Sequence, residues 1–132
     1  MSGMVKFGVN FAEYLVKRDL RHLIAHVTNH CNFRCQHCFI DFSPKKDLKL
    51  ARFEKLGREV GRLFWLDIGG GEPFLRKDLA ELTQHFIDNC AVRYLTIPTN
   101  GSLTQRMVSY LEAVLPRNPQ TFLRLPFSIH GD

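Results

Sequence analysis

Four short apolar runs limit what this chain can fold into more than any other feature. Residues 23–28, 63–68, 93–97 and 121–129 are too short for stable helices and rich in branched or aromatic side chains, which reads as strands. Between them the pattern changes period. Leu48, Ala51, Phe53, Leu56 and Val60 recur at helical steps up to Gly61, residues 79–87 do so behind Asp78 as a cap, and Met107, Val108, Leu111 and Val114 do so up to Pro116. Parallel neighbours need a long crossover, so strands alternating with helices predict an α/β fold, a parallel sheet with helices packed on it. The unbroken run 63–68 predicts a strand buried on both faces, with Phe64 and Trp65 in the core. Ahead of these units, Phe11, Tyr14, Leu15 and Arg18 share one side of a leading helix over residues 7–19, with Asn10 as its candidate cap.

In parallel sheets and barrels, ligands sit at the carboxyl ends of the strands, in the loops that lead into helices. Every unusual stretch of this chain falls at such an exit: the cysteine loop 31–38, Gly69-Gly70-Gly71-Glu72-Pro73, Thr99-Asn100-Gly101, and residues 128–132. All four are expected on one side of the sheet.

The cysteine loop holds Cys31, Cys35 and Cys38, three of the chain's four cysteines, at CxxxCxxC spacing. A disulfide arrangement leaves one of the three unpaired, and Cys90 lies far off in a helical segment, where it reads as a free thiol. Thiolates this close suit an iron–sulfur cluster or a soft metal. With three thiolates a four-iron cluster keeps one iron open, which catalysis needs. The competing reading is a zinc ion held by the three cysteines with His30 or His37. The glycines after the second strand let backbone approach a ligand closely, and Glu72 beside them suits a cationic amino group better than a phosphate.

The 132 residues make one domain, and 45% hydrophobic with 23% charged is ordinary globular composition. Lys plus Arg outnumber Asp plus Glu by 18 to 13, for a net charge of +5. The basic residues are scattered and not interleaved with aromatics, so nucleic acid is not expected as a partner. No apolar run approaches the roughly 20 residues that span a bilayer, and the first residues lack the apolar core of a signal peptide. The expected compartment is the cytoplasm, where thiols stay reduced. The phosphate-binding and paired-carboxylate patterns of kinases and nucleases are missing. His22 and His26 share one strand face as packing or interface residues. Asp67 and Arg124 are charges within apolar strands and must find a partner, water or a ligand group.

The CxxxCxxC motif at the first strand exit, followed by Gly70-Gly71-Glu72-Pro73 at the second, resembles the radical S-adenosylmethionine (radical SAM) superfamily, from about residue 22 onward. The resemblance implies the N-terminal portion of a partial (β/α)6 TIM-like barrel, with about four parallel strands and three intervening helices. Residues 1–132 would be a single core-domain fragment, the C-terminal half of the barrel being absent. Such a sheet would expose an apolar edge at its fourth strand and one poorly covered face.

The same resemblance implies that Cys31, Cys35 and Cys38 hold a [4Fe–4S] cluster whose open iron binds S-adenosylmethionine. Gly70, Gly71 and Glu72 would receive the methionine amino group, Thr99 and Asn100 would line the cofactor pocket, and Ser128 would reach the ribose or carboxylate end. His37 occupies a position that is usually aromatic and lies near the adenine. The implied reaction is reductive cleavage to a 5'-deoxyadenosyl radical that abstracts hydrogen from an unnamed substrate, the electron coming from a flavodoxin or ferredoxin. The alternative is a non-catalytic module with structural zinc or a cluster, which would have no use for Glu72.

Overall fold

The computed structural model describes Ala12 and residues 21–43 and 46–128. Apart from Ala12, the leading helix expected over residues 7–19 lies outside the described residues.

Among residues 21–43 and 46–128, four strands alternate with three helices: β1 (His22–Thr28), α1 (Leu50–Val60), β2 (Trp65–Gly70), α2 (Leu79–Cys90), β3 (Tyr94–Thr96), α3 (Thr104–Val114) and β4 (Phe122–Arg124). A short 3₁₀ turn, Pro73–Leu75, follows β2. The sheet order is β1-β2-β3-β4 and every pairing is parallel. Each new strand is therefore laid beside the last, always on the same edge. Helices from all three crossovers pack on the same face, since Phe53, Leu82, Phe86, Met107 and Tyr110 share one core with Ala25, Val27, Leu66, Ile68 and Leu95. Single winding with helices on one side is the growth rule of a (β/α) barrel, whereas doubly wound sheets reverse direction and cover both faces.

The strand register fixes what shares a row on the other face. His22, Trp65, Tyr94 and Phe122 are paired across the sheet, and so are Ile24, Asp67, Thr96 and Arg124. The first row is a run of rings in contact: His22 to Trp65 at 5.1 Å between centroids, Trp65 to Tyr94 edge-on at 4.9 Å, and Tyr94 to Phe122 stacked at 4.9 Å.

Several expectations needed correction. The strand expected at 63–68 starts two residues later, and Leu63 and Phe64 are buried ahead of it. β2 is buried on one face, not two, so Trp65 belongs to the open face while Leu66 and Ile68 enter the core. β4 covers only three residues, with Thr99 and Phe127 making a separate bridge further on. Pro126 has no amide hydrogen to donate, which interrupts the longer strand expected at 121–129. The apolar edge is accordingly short. Asp78 stands at the α2 N-cap but makes no capping bond; its carboxylate takes two bonds from Arg76, at 2.8 and 2.7 Å. A neighbouring guanidinium outcompetes backbone amides for an ionised carboxylate, and it holds the Asp78 pKa below the usual value.

The helices end as the sequence suggests. α1 stops at Gly61, whose φ of 74° glycine adopts without steric cost. Cys90 closes α2 fully buried, with its Sγ–H donating to the Gly57 carbonyl at 3.1 Å, and burial pushes the thiol pKa up. No helix among the described residues is long and apolar enough to cross a membrane.

Candidate functional site

The four strand exits do meet on one side of the sheet. A cavity of about 640 Å³ is lined by Cys31, Cys35 and Cys38, His37, Gly69 to Glu72, Thr99, Asn100 and Ser128, together with Ile24, Trp65, Asp67 and Thr96 of the open sheet face. Every residue expected at the site lies on this one cavity, whose size falls in the range of about 300–1,000 Å³ usual for small-molecule sites.

The glycine run is needed for contact between strands. A Cβ at Gly70 would stand 2.1 Å from the Thr28 carbonyl oxygen, and one at Gly71 would stand 2.2 Å from that of His30. Gly70 also has φ 124°, a conformation that L side chains rarely adopt. Gly71 N–H donates to Thr28 O and Glu72 N–H to His30 O, each at 2.8 Å. These glycines thus draw the β2 exit against the start of the cysteine loop. Gly69 has nothing within 4 Å of a built Cβ and is simply part of β2.

That close approach buries Glu72, which is 1% exposed. Its Oε1 accepts from Phe74 N–H at 3.1 Å and from the Thr99 hydroxyl at 2.9 Å, and its Oε2 accepts from Asn100 N–H at 2.8 Å. All three donors are neutral, and among the described residues no basic side chain pairs with the carboxylate. Thr99 is held in turn by the segment after β4, donating its N–H to Pro126 O at 3.0 Å while its carbonyl accepts from Ser128 N–H at 2.9 Å.

The cysteine loop has no regular secondary structure, and side chains hold it. Arg34 donates to the carbonyls of Cys31 at 2.6 Å and Phe33 at 2.9 Å, with its guanidinium 4.3 Å from the centre of the Phe42 ring. Cys38 N–H donates to Cys35 O at 3.1 Å, closing a turn. All three thiols are free, Cys31 and Cys35 half-buried and Cys38 exposed. They share the cavity rim; among the described residues, no three His, Cys, Asp or Glu side chains form a group that could hold a single metal ion. A cluster asks less of such a loop than zinc does, because each thiolate takes a different iron. His30, one of the candidate fourth zinc ligands, turns its Nε2 to Asp47, 3.9 Å away. His37 lines the cavity with its side chain exposed.

The two charges within strands differ. Asp67 is satisfied by protein, its Oδ2 lying 2.7 Å from His22 Nε2 and its Oδ1 accepting from Trp65 Nε1–H at 2.7 Å. Arg124 is exposed on the open face beside Thr96.

Three contributors escaped the sequence reading: Asn32, Ser102 and Arg34. Asn32 Nδ2 donates to Ser102 Oγ at 2.8 Å, and Asn100 Nδ2 donates to Asn32 Oδ1 at 2.9 Å. The signal for Ser102 was present in Asn100-Gly101-Ser102, an Asx turn in which Ser102 N–H donates to Asn100 Oδ1 at 3.0 Å. Nothing local marks Asn32, whose partners lie about seventy positions along the chain.

Comparison with known proteins agrees with this geometry. The sequence profile of the radical SAM superfamily matches residues 26–121. Among curated relatives, a GTP 3',8-cyclase of Acidothermus cellulolyticus is 35% identical over 130 residues, covering 82% of this chain and 35% of that protein. A GTP 3',8-cyclase of Mesorhizobium japonicum is 36% identical, with coverages of 71% and 31%. An S-adenosylmethionine-dependent nucleotide dehydratase of Selenomonas ruminantium is 33% identical, with coverages of 59% and 29%. The chain spans about a third of the length of these curated relatives. It belongs to the radical SAM superfamily, a class of enzymes whose cofactors are a [4Fe–4S] cluster and S-adenosylmethionine.

Proposed function

We propose that this chain forms the cluster- and cofactor-binding part of a radical SAM enzyme, with Cys31, Cys35 and Cys38 as the cluster ligands and Glu72 as the anchor for the methionine amino group. The observation that carries the reading is the Glu72 carboxylate. It is buried, it has only neutral hydrogen-bond donors, and it opens onto the cavity that the three thiols rim. A buried charge without a counter-charge is costly in a resting protein. A ligand that brings an ammonium group offsets that cost, and S-adenosylmethionine has one. A structural zinc site gives no reason to keep such a carboxylate.

The residues present fit both groups. Three thiolates leave one iron of the cluster without a protein ligand. Thr99 and Asn100 hold the carboxylate in place, and Ser128 and His37, the side chains that would meet the ribose and the base, line the same cavity. When bound, the cofactors supply reductive cleavage to a 5'-deoxyadenosyl radical, which abstracts hydrogen from a substrate. The chain's own part is to bind, orient and exclude water. We assign no protein acid or base. The proposed setting is cytoplasmic, and the proposed electron donor is a flavodoxin or ferredoxin.

The test is anaerobic reconstitution with iron and sulfide, then electron paramagnetic resonance of the dithionite-reduced protein with and without S-adenosylmethionine. A reduced-cluster signal that changes on adding the cofactor is expected for wild type, and Glu72→Gln should need at least about 100-fold more cofactor for the same change. A wild-type signal indifferent to the cofactor, or stoichiometric zinc in place of iron, overturns the reading.

A further inference from the structure

Asn32, Ser102 and Asn100 join two strand exits through a closed ring of hydrogen bonds that runs in one direction. Asn32 Nδ2 donates to Ser102 Oγ at 2.8 Å, Ser102 Oγ–H donates to Asn100 Oδ1 at 2.6 Å, and Asn100 Nδ2 donates back to Asn32 Oδ1 at 2.9 Å. Each side chain is at once donor and acceptor, so each bond polarises the next. The ring sits beside the cluster loop. Asn100 Nδ2 also lies 4.0 Å from Cys31 Sγ, while Asn100 N–H is bound to Glu72.

We infer that this ring is a latch that positions the cysteine loop before any cluster binds, with Asn32 and Ser102, neither of which lines the cavity, as positioning residues. The inference rests on the cluster-ligand reading of Cys31, Cys35 and Cys38 given above. The loop has no strand or helix of its own, and a mobile three-thiol loop must lose its conformational freedom when it closes on a cluster. The latch meets part of that ordering cost in the metal-free fold, which favours cluster binding by preorganisation. It also fixes Cys31 relative to Glu72 through one residue, since Asn100 holds both.

Tryptic cleavage after Arg34 reads the latch without any cofactor. Arg34 lies inside the loop, exposed, with its guanidinium bound to the Cys31 and Phe33 carbonyls, so cleavage there reports how often the loop opens. In the metal-free chain, Asn32→Ala and Ser102→Ala should each speed cleavage after Arg34 by roughly fivefold or more. Cleavage after the exposed Lys77 should stay at the wild-type rate, which shows that neither variant has unfolded. Ser102→Thr keeps the hydroxyl and should match wild type. In the reconstituted protein the two alanine variants should also release iron to a chelator faster. Equal cleavage after Arg34 in wild type and both alanine variants overturns the latch, and so does an effect confined to one of them, because the ring needs both. If instead the wild-type cluster signal ignores S-adenosylmethionine, the enzyme reading fails while the proteolysis still decides the latch.

Discussion

The two faces of this sheet carry opposite kinds of residue. On the helix-covered face, Leu66, Ile68 and Leu95 are 0% exposed and pack among Leu82, Phe86 and Met107. On the open face, Ile24 is 61% and Phe122 46% exposed, and polar groups such as Asp67, Thr96 and Arg124 are interleaved with rings. Alternate residues of the same strands supply both, so one register serves two purposes. Stability is concentrated on the covered side and the candidate chemistry on the open side. The same division governs buried charge. Arg76, with a side chain 6% exposed, is neutralised inside the protein by Asp78, whereas Glu72 has no cationic partner among the described residues. Arg76 is thus paired within the fold, while the unpaired Glu72 is the carboxylate proposed to receive the ligand's ammonium group.

The largest effect should come from the covered face. Phe86 is fully buried, and Phe86→Ala leaves a cavity worth about 3–5 kcal/mol, a large part of the total stability of a small domain. Urea denaturation followed by circular dichroism measures it. A loss below about 1 kcal/mol would mean that the covered face is not where stability resides.

The glycine run lies where the two faces meet and separates their demands residue by residue. Gly71→Ala forces a Cβ against the His30 backbone and should cost about 2–3 kcal/mol by displacing the cysteine loop, whereas Gly69→Ala meets open space and should stay within about 0.5 kcal/mol. Equal losses in the two variants, by the same urea titration, would break the assignment of Gly71 to a close strand contact.

On the open face, Trp65→Phe keeps a ring in the aromatic row but removes the Nε1–H that donates to Asp67 at 2.7 Å and to Thr96 Oγ1 at 3.0 Å. The expected cost is about 1 kcal/mol. Trp65 is the chain's single tryptophan, so circular dichroism rather than fluorescence must follow the unfolding. A cost as large as that of Phe86→Ala would place Trp65 in the core after all, as the sequence reading had it.

That last misreading shows what was legible and what was not. The strand–helix alternation, the parallel sheet and the gathering of four exits on one side follow from period, length and glycine placement, which are local properties. The open face of β2 could not be read, because an unbroken apolar run looks the same whether one or both faces are covered. At the site, Cys31, Cys35, Cys38 and Glu72 were visible from spacing and residue type. The purpose of the glycines was visible only in part: they permit a close approach, but to the carbonyls of Thr28 and His30. Asn32 was invisible because its role depends on a partner brought near by two crossovers. Asp78 was misread for a related reason. An aspartate before a helix reads as a cap, and only the structure shows that Arg76 takes its carboxylate.

The smallest expected effect tests the paired charge on the covered side. The Arg76 guanidinium donates to Asp78, to Val27 O at 2.7 Å and to Leu48 O at 3.0 Å, so it ties the end of β1 and the approach to α1 to the start of α2. The hydrogen bond and charge of Arg76 lower the Asp78 pKa from its ordinary value of 3.8. A carboxylate with a depressed folded-state pKa stabilises the fold at pH values above its unfolded pKa, and this contribution is lost as pH falls through the folded value. Asp78→Asn should therefore cost about 0.5 kcal/mol at pH 7, the pair being partly screened by water, and its difference from wild type should shrink below about pH 4. Urea titrations of both proteins at neutral and acid pH measure this. Glu72 provides the contrast, because S-adenosylmethionine should raise the unfolding midpoint of the reconstituted wild type and of Asp78→Asn by the same amount, while leaving Glu72→Gln unmoved. A ligand-dependent shift lost in Asp78→Asn but kept in Glu72→Gln would reverse the roles given to the two carboxylates.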